Sequence, residues 1–142
     1  MAQWDIPLLK PTKSEETTPF WEGTEAGELR VQQCEECGSR QLPASPVCVE
    51  CLSPKVSWVA TSGRGTIFSY TVIHHNDSVP FREMLPYIVA LVDLEEGARV
   101  TSNILECTPE VVHVGMPVEV VYEEINDEVT LPQFRPVLRT AS

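Results

Sequence analysis

The chain has 142 residues, 42% of them hydrophobic and 22% charged. That is room for one compact core with a small satellite module, and too little for two full domains. Ten Lys and Arg against 21 Asp and Glu give a formal charge of −11, a field that repels phosphate backbones and anionic headgroups and argues against nucleic-acid and membrane-surface binding.

Residues 1–18 are polar and contain prolines, with no helical or strand period. Met1-Ala2-Gln3-Trp4-Asp5 lacks the basic and apolar regions of a secretory signal, and the strongest apolar run, Ile88 to Val92, is too short to span a bilayer, so a soluble cytoplasmic chain is expected. Thr18-Pro19 then reads as an N-cap with proline at the first helical position. A short helix over Pro19–Ala26 should stop at Gly27 and use Phe20 and Trp21 to pack on the next module or on a partner.

Four of the five cysteines follow a metal pattern. Cys34-Glu35-Glu36-Cys37 and Cys48-Val49-Glu50-Cys51 form C-x2-C-x10-C-x2-C, two knuckles whose thiolates can close a tetrahedron around one Zn²⁺. A thioredoxin-like redox site would need a single pair at a strand-to-helix junction. Leu29–Gln32 and Val56–Val59 are β-prone flanks, so a zinc ribbon is expected over residues 28–62. Four thiolates leave no open coordination position, which makes the metal structural rather than catalytic. Zinc bound to four thiolates moves the formal charge to about −13.

Gly63-Arg64-Gly65 marks a hinge, after which the pattern is almost wholly β. A strand over Thr66–His75 should place Phe68, Tyr70 and Val72 on one face and Ile67 and Ile73 on the other. Tyr87–Leu94 follows, then a turn at Glu95-Glu96-Gly97 into Arg99–Leu105. Thr108-Pro109-Glu110 repeats the helix-start signal, with Gly115-Met116-Pro117 ending the helix after barely two turns. A fourth strand through Val118, Val120 and Tyr122, a turn at Asn126-Asp127 and a fifth strand over Val129–Val137 complete the order of a five-stranded OB-fold Greek-key barrel over residues 63–142. The expected class is therefore mostly β: a tail and short helix (1–27), a rubredoxin-like zinc ribbon (28–62) and the barrel (63–142).

Several motifs occur together and in order: Thr18-Pro19-Phe20-Trp21, Gly27-Glu28-Leu29, the two Cys-x-x-Cys pairs, Gly63 to Val72, Pro86 to Gly97 and Gly115-Met116-Pro117-Val118. On these the chain resembles the zinc-ribbon plus OB-fold proteins encoded beside thiolase-like enzymes, from about Thr18 to Pro136. The resemblance implies a non-catalytic accessory subunit whose barrel docks on a thiolase-like enzyme and helps form its acyl-CoA site. It also implies that an acyl-CoA hydratase can be a partner, and that aldol cleavage of steroid side-chain thioesters or acyl transfer is carried out by the complex.

The residues agree with an absence of independent chemistry. No nucleophile elbow or phosphate loop is present, and Cys107 beside Glu106 reads as a small buried hydrophobe. His113 reads as a packing residue, and the carboxylates Glu123, Glu124, Asp127 and Glu128 as a solvated hairpin edge. Contact candidates are Phe81, Met84 and Leu85, which either meet a partner or fold over the barrel mouth. Arg64, Arg82 and Arg135 are scarce cations for a CoA phosphate or a partner carboxylate, and His74 and His75 lie at a strand end where one could face substrate. A free-standing acyl-CoA-binding protein is the alternative. Single-stranded nucleic-acid binding is weaker still, because residues 63–142 carry 5 Lys and Arg against 12 Asp and Glu.

Overall fold

A computed structural model describes residues 14–77, 81–125, 127 and 129–137. Helix α1 spans Thr18–Glu25, with proline in its first turn and Gly27 in the left-handed region after it. Its start lies one residue before the expected one: Thr17 holds the cap position without a side-chain cap, and the Thr18 hydroxyl donates to the Ser14 carbonyl at 2.7 Å. The helix packs on both modules, with contacts to the ribbon and to the last two barrel strands.

The ribbon is a three-stranded antiparallel sheet of β1 (Arg30–Cys34), β2 (Arg40–Gln41) and β3 (Val56–Ala60), in the order β2-β1-β3. Little apolar surface is buried in it beyond Leu29 and Val31. Two buried glutamines replace a larger core. Gln41 Nε2 donates to Gln32 Oε1 at 2.8 Å and to the Val47 carbonyl, while Gln32 Nε2 reaches the Ser45 carbonyl. The Ser45 and Val49 amides return bonds of 2.9 Å to Gln32 Oε1 and Gln41 Oε1. Backbone groups of Ser45, Val47 and Val49 are thus satisfied by side-chain amides rather than by a strand.

The barrel comprises β4 (Arg64–Ile73), β5 (Tyr87–Leu94), β6 (Arg99–Ile104), β7 (Pro117–Glu124) and β8 (Thr130–Pro136), closed in the order β4-β5-β6-β8-β7. This is the five-stranded OB arrangement. Strand β5 alternates strictly, with Ile88, Ala90, Val92 and Leu94 buried, and these pack with Ile67, Ile104, Val118 and Phe134 in the core. The seam between β6 and β8 is parallel and pairs only Ile104 with Phe134. Pro132 and Pro136 lack the amides a longer ladder needs. The Ser102 hydroxyl spans the gap by donating to the Pro132 carbonyl at 2.8 Å.

Two expectations are corrected. In β4 the register against β5 shifts between Ile67 and Ser69, so a bulge at Phe68 changes which residues share a face. Ile67, Tyr70 and Val72 join the core, and Phe68 turns outward, 49% exposed. Between β6 and β7 no helix forms. The Val111 and Val112 amides both bond the Thr108 carbonyl, a single turn that ends at Gly115 with φ +90°, because Val111, Val112 and Val114 resist a helix this short. His113 is therefore exposed rather than packed.

Ribbon and barrel are tied at the hinge. The Arg40 guanidinium donates to the Glu96 carbonyl at 3.1 Å and the Ser62 amide to Glu96 Oε2 at 2.8 Å. A Cβ at Gly65 would collide with the Asp93 carbonyl oxygen, so only glycine lets β4 approach β5 here.

Candidate functional site: a thiolate cluster and an aromatic cleft

The two knuckles share one geometry. The Gly38 amide donates to the Cys34 carbonyl at 3.0 Å and the Leu52 amide to the Cys48 carbonyl at 2.8 Å, while the Cys34 and Cys48 amides bond the Ser39 and Ser53 carbonyls. Both turns need a left-handed residue, supplied by Gly38 at φ +80° and by Leu52 at φ +65°. The repeat brings the Sγ atoms of Cys34, Cys37, Cys48 and Cys51 within 4.8 Å of one another.

Backbone amides prepare some of these sulfurs for negative charge. The Cys37 amide holds the Cys34 thiol below its usual value. For Cys48 the Ser39 hydroxyl, with backbone amides behind it, lowers the value to about 6. Cys51 goes the other way, to about 12. Its bond from the Ser53 backbone lowers it, but desolvation and the sulfurs of Cys34, Cys37 and Cys48 outweigh that bond. Four sulfurs this close cannot all ionise without a cation between them. A divalent, tetrahedral, thiophilic ion meets that need, and the donor set fits zinc in a closed structural site.

The contact candidates do not converge. His74, His75 and Arg82 are exposed at or beyond the far end of β4, with His75 3.4 Å from Asp77 and both 84% exposed. Arg64 begins that strand, roughly 30 Å away at 3.3 Å per residue. Arg64 lies opposite Glu119 and Glu119 opposite Arg135 in the ladder, where Arg135 is engaged by Glu119 at 2.9 Å and Glu106 at 3.7 Å. Met84, like Trp21 and Leu131, packs against the buried pair Ile125 and Val129, so this part of its loop folds onto the protein. Leu85 is half-buried, and the side chain of Phe81, like Glu128 and Asn126, lies outside the described residues. Cys107 packs against the core, and desolvation raises its thiol.

A second feature escaped the sequence. A cleft of about 360 Å³ opens where α1, the ribbon and β6 meet, lined by Phe20, Trp21, Leu42, Trp58, Val100 and Arg99 among others. Phe20 and Trp21 meet edge to face at 5.0 Å. Arg99 is held by Asp93 through two bonds of 2.6 and 3.2 Å, and its guanidinium stacks 3.6 Å from the ring of Phe68. The bulge turns Phe68 outward to meet it, and no periodicity announces a bulge. Among the described residues no helix is long and apolar enough to cross a membrane.

Residues 21–57 match the rubredoxin-like zinc ribbon domain of ChsH2 and residues 58–123 the C-terminal OB-fold domain of ChsH2. The donor geometry and this match together give the chain one structural zinc in its ribbon. A 3-oxo-4,17-pregnadiene-20-carboxyl-CoA hydratase alpha subunit of Mycobacterium tuberculosis is 39% identical over 84% of this chain and 38% of its own length. A probable enoyl-CoA hydratase alpha subunit of Thermomonospora curvata is 33% identical over 96% of this chain and 47% of its own. The chain thus spans less than half of these two relatives. A DUF35 domain-containing scaffold protein of Methanothermobacter thermautotrophicus is 40% identical over 70% of this chain and 75% of its own. Among solved structures, the Ltp2-ChsH2(DUF35) aldolase contains a chain 35% identical, with a TM-score of 0.79, covering 89% of this chain and 98% of that one. With the ribbon, the barrel and their order all matched, the chain belongs to the DUF35 family of ChsH2-type proteins that join a rubredoxin-like zinc ribbon to an OB-fold domain.

Proposed function

We propose that this chain is an accessory subunit, without catalytic groups of its own, that docks on a thiolase-like enzyme and helps form or order that enzyme's acyl-CoA site. One observation carries the reading: the likeness to a chain of the Ltp2-ChsH2(DUF35) aldolase over 98% of that chain's length. The hydratase subunits among the relatives favour thioester substrates in lipid or steroid side-chain metabolism, and an acyl-CoA hydratase is a further possible partner. The working division is a tail and helix to residue 27, a ribbon over 28–62 held by zinc on Cys34, Cys37, Cys48 and Cys51, and a barrel from 63.

The chemistry present suits such a role. A closed thiolate site has no position for substrate, and His75 faces Asp77 while His113 faces the Val111 carbonyl. What the chain offers a reaction is fixed surface, which lowers the entropic cost of positioning reactants held by another subunit. Arg64 and Arg82 remain the exposed candidates for a CoA phosphate, while Arg135 is already neutralised by two carboxylates.

The test is co-expression with a thiolase-like protein encoded beside it, followed by size-exclusion with light scattering and acyl-CoA turnover with and without this chain. A stoichiometric complex that turns over only with both components is the expected result. Separate elution with unchanged turnover would reject the reading, and titration of the isolated chain with an acyl-CoA would then decide for or against the free-standing binding protein.

A further inference from the structure

We infer that the aromatic cleft between α1, the ribbon and β6 seats an apolar anchor side chain of the partner protein, carried on a segment flanked by Lys or Arg. This rests on the accessory-subunit reading and names where and how the partner is held.

Three observations point to that occupant. The walls are Phe20 and Trp21 from α1, Leu42, Pro43 and Ala44 from the ribbon loop, Trp58 from β3, and Val100 and Thr101 from β6. Three rings around about 360 Å³ make a space for one or two large side chains, the kind of pocket in which interface energy concentrates. The single cation among the lining residues, Arg99, is spent on Asp93 and Phe68. A CoA phosphate or a carboxylate would find no free charge there, which favours a protein side chain over the thioester itself.

The surroundings supply the sign of the flanks. From Ser14 to Leu29 there is no Lys or Arg, whereas Glu15, Glu16 and Glu22 are exposed on the helix and its lead-in. The neighbouring cation, Arg30, is bound to Glu28 at 2.9 Å and to the Pro19 carbonyl at 3.3 Å. Trp58, the lining residue from β3, sits in an uncharged stretch, Val56 to Ser62. An apolar centre beside an acidic wall complements an apolar anchor with basic neighbours, which it would attract at long range and orient on contact.

The experiment uses the full chain with the thiolase-like enzyme and reads Kd by calorimetry at two salt concentrations. Thr101→Arg places a long side chain at the cleft mouth from an exposed strand position. It should weaken binding at least tenfold while zinc content and circular dichroism stay as in the wild type. Glu22→Lys should weaken it several-fold at low salt and less at high salt. Val114→Glu, on the turn between β6 and β7 where Val114 is 62% exposed and outside the cleft lining, should leave Kd within twofold. If Thr101→Arg binds like the wild type, or if Val114→Glu alone abolishes binding, the cleft is not the seat and the inference falls although the accessory reading stands. If the wild type forms no complex, the accessory reading falls and this occupant with it. If deletion of residues 1–13 strengthens binding as much as Thr101→Arg weakens it, the chain's own N-terminal segment competes for the cleft. That outcome still supports the cleft as the seat.

Discussion

The ribbon and the barrel solve the same problem with different materials. The barrel buries most of one continuous apolar cluster, from Ile67 to Phe134, which Leu29 and Val31 of the ribbon join at its edge, and it closes its strands on themselves. The ribbon buries only a few apolar residues and instead holds its loops with four thiolates and two glutamine side chains. A segment this short cannot bury enough surface to offset its conformational entropy. Metal binding, which contributes roughly 10–16 kcal/mol in small zinc modules near neutral pH, replaces the missing core. The two regions should therefore fail under different insults.

The largest separation comes from the metal. A strong chelator, or Cys48→Ser, should expose the amides of β1 to β3 to hydrogen exchange while β4 to β8 stay protected. Equal loss of protection in both regions would show that the barrel too depends on zinc. Next in size is the converse lesion: Phe134→Ala empties the centre of the barrel core and should cost about 3–5 kcal/mol, seen as a lower denaturation midpoint with zinc still bound to the folded ribbon. A variant that lost its zinc as readily as its barrel would collapse the distinction.

Smaller changes sharpen it. Gln41→Ala strips the Val49 amide and the Val47 carbonyl of their partners, a cost of about 1–3 kcal/mol. It should appear as faster exchange over residues 43–49 and faster zinc release to a colorimetric chelator. Gly38→Ala puts a side chain at φ +80° and should cost about 1–2 kcal/mol, whereas Leu52→Gly relieves the equivalent strain in the second knuckle. If both substitutions shift zinc-loaded stability in the same direction, the equivalence of the knuckles fails. The smallest effect belongs to the β6–β8 seam, where Ser102→Ala should cost about 0.5–1.5 kcal/mol and raise exchange in β6 and β8 alone.

Local rules carried much of the architecture. Strand β5 was placed to the residue because the β-prone apolar run from Tyr87 to Leu94 ends at the Glu95-Glu96-Gly97 turn, and the cysteine spacing named its metal because two knuckles repeat one turn. The misread segments share a cause. Phe68 occupies a bulge, which breaks the period on which faces are assigned. The 108–115 segment carries a helix-start signal on a stretch too short and too β-branched to propagate one. Among the contact candidates, residue type alone could not reveal that Arg135 is engaged by two carboxylates or that Met84 is packed against Ile125 and Val129.

Spacing and alternation along the chain were thus sufficient for the zinc module, the five-stranded barrel and their order, since each depends on interactions between residues near in sequence or on a repeated period. The cleft was not accessible that way. Its walls come from residues 17 to 21, 42 to 44, 58 and 99 to 101, segments that meet only because helix α1 packs on both modules and the hinge contacts of Arg40 and Ser62 with Glu96 hold ribbon to barrel. Surface formed by the docking of separate segments has no period to read. Only the folded chain brings Trp58, Trp21 and Arg99 to one place.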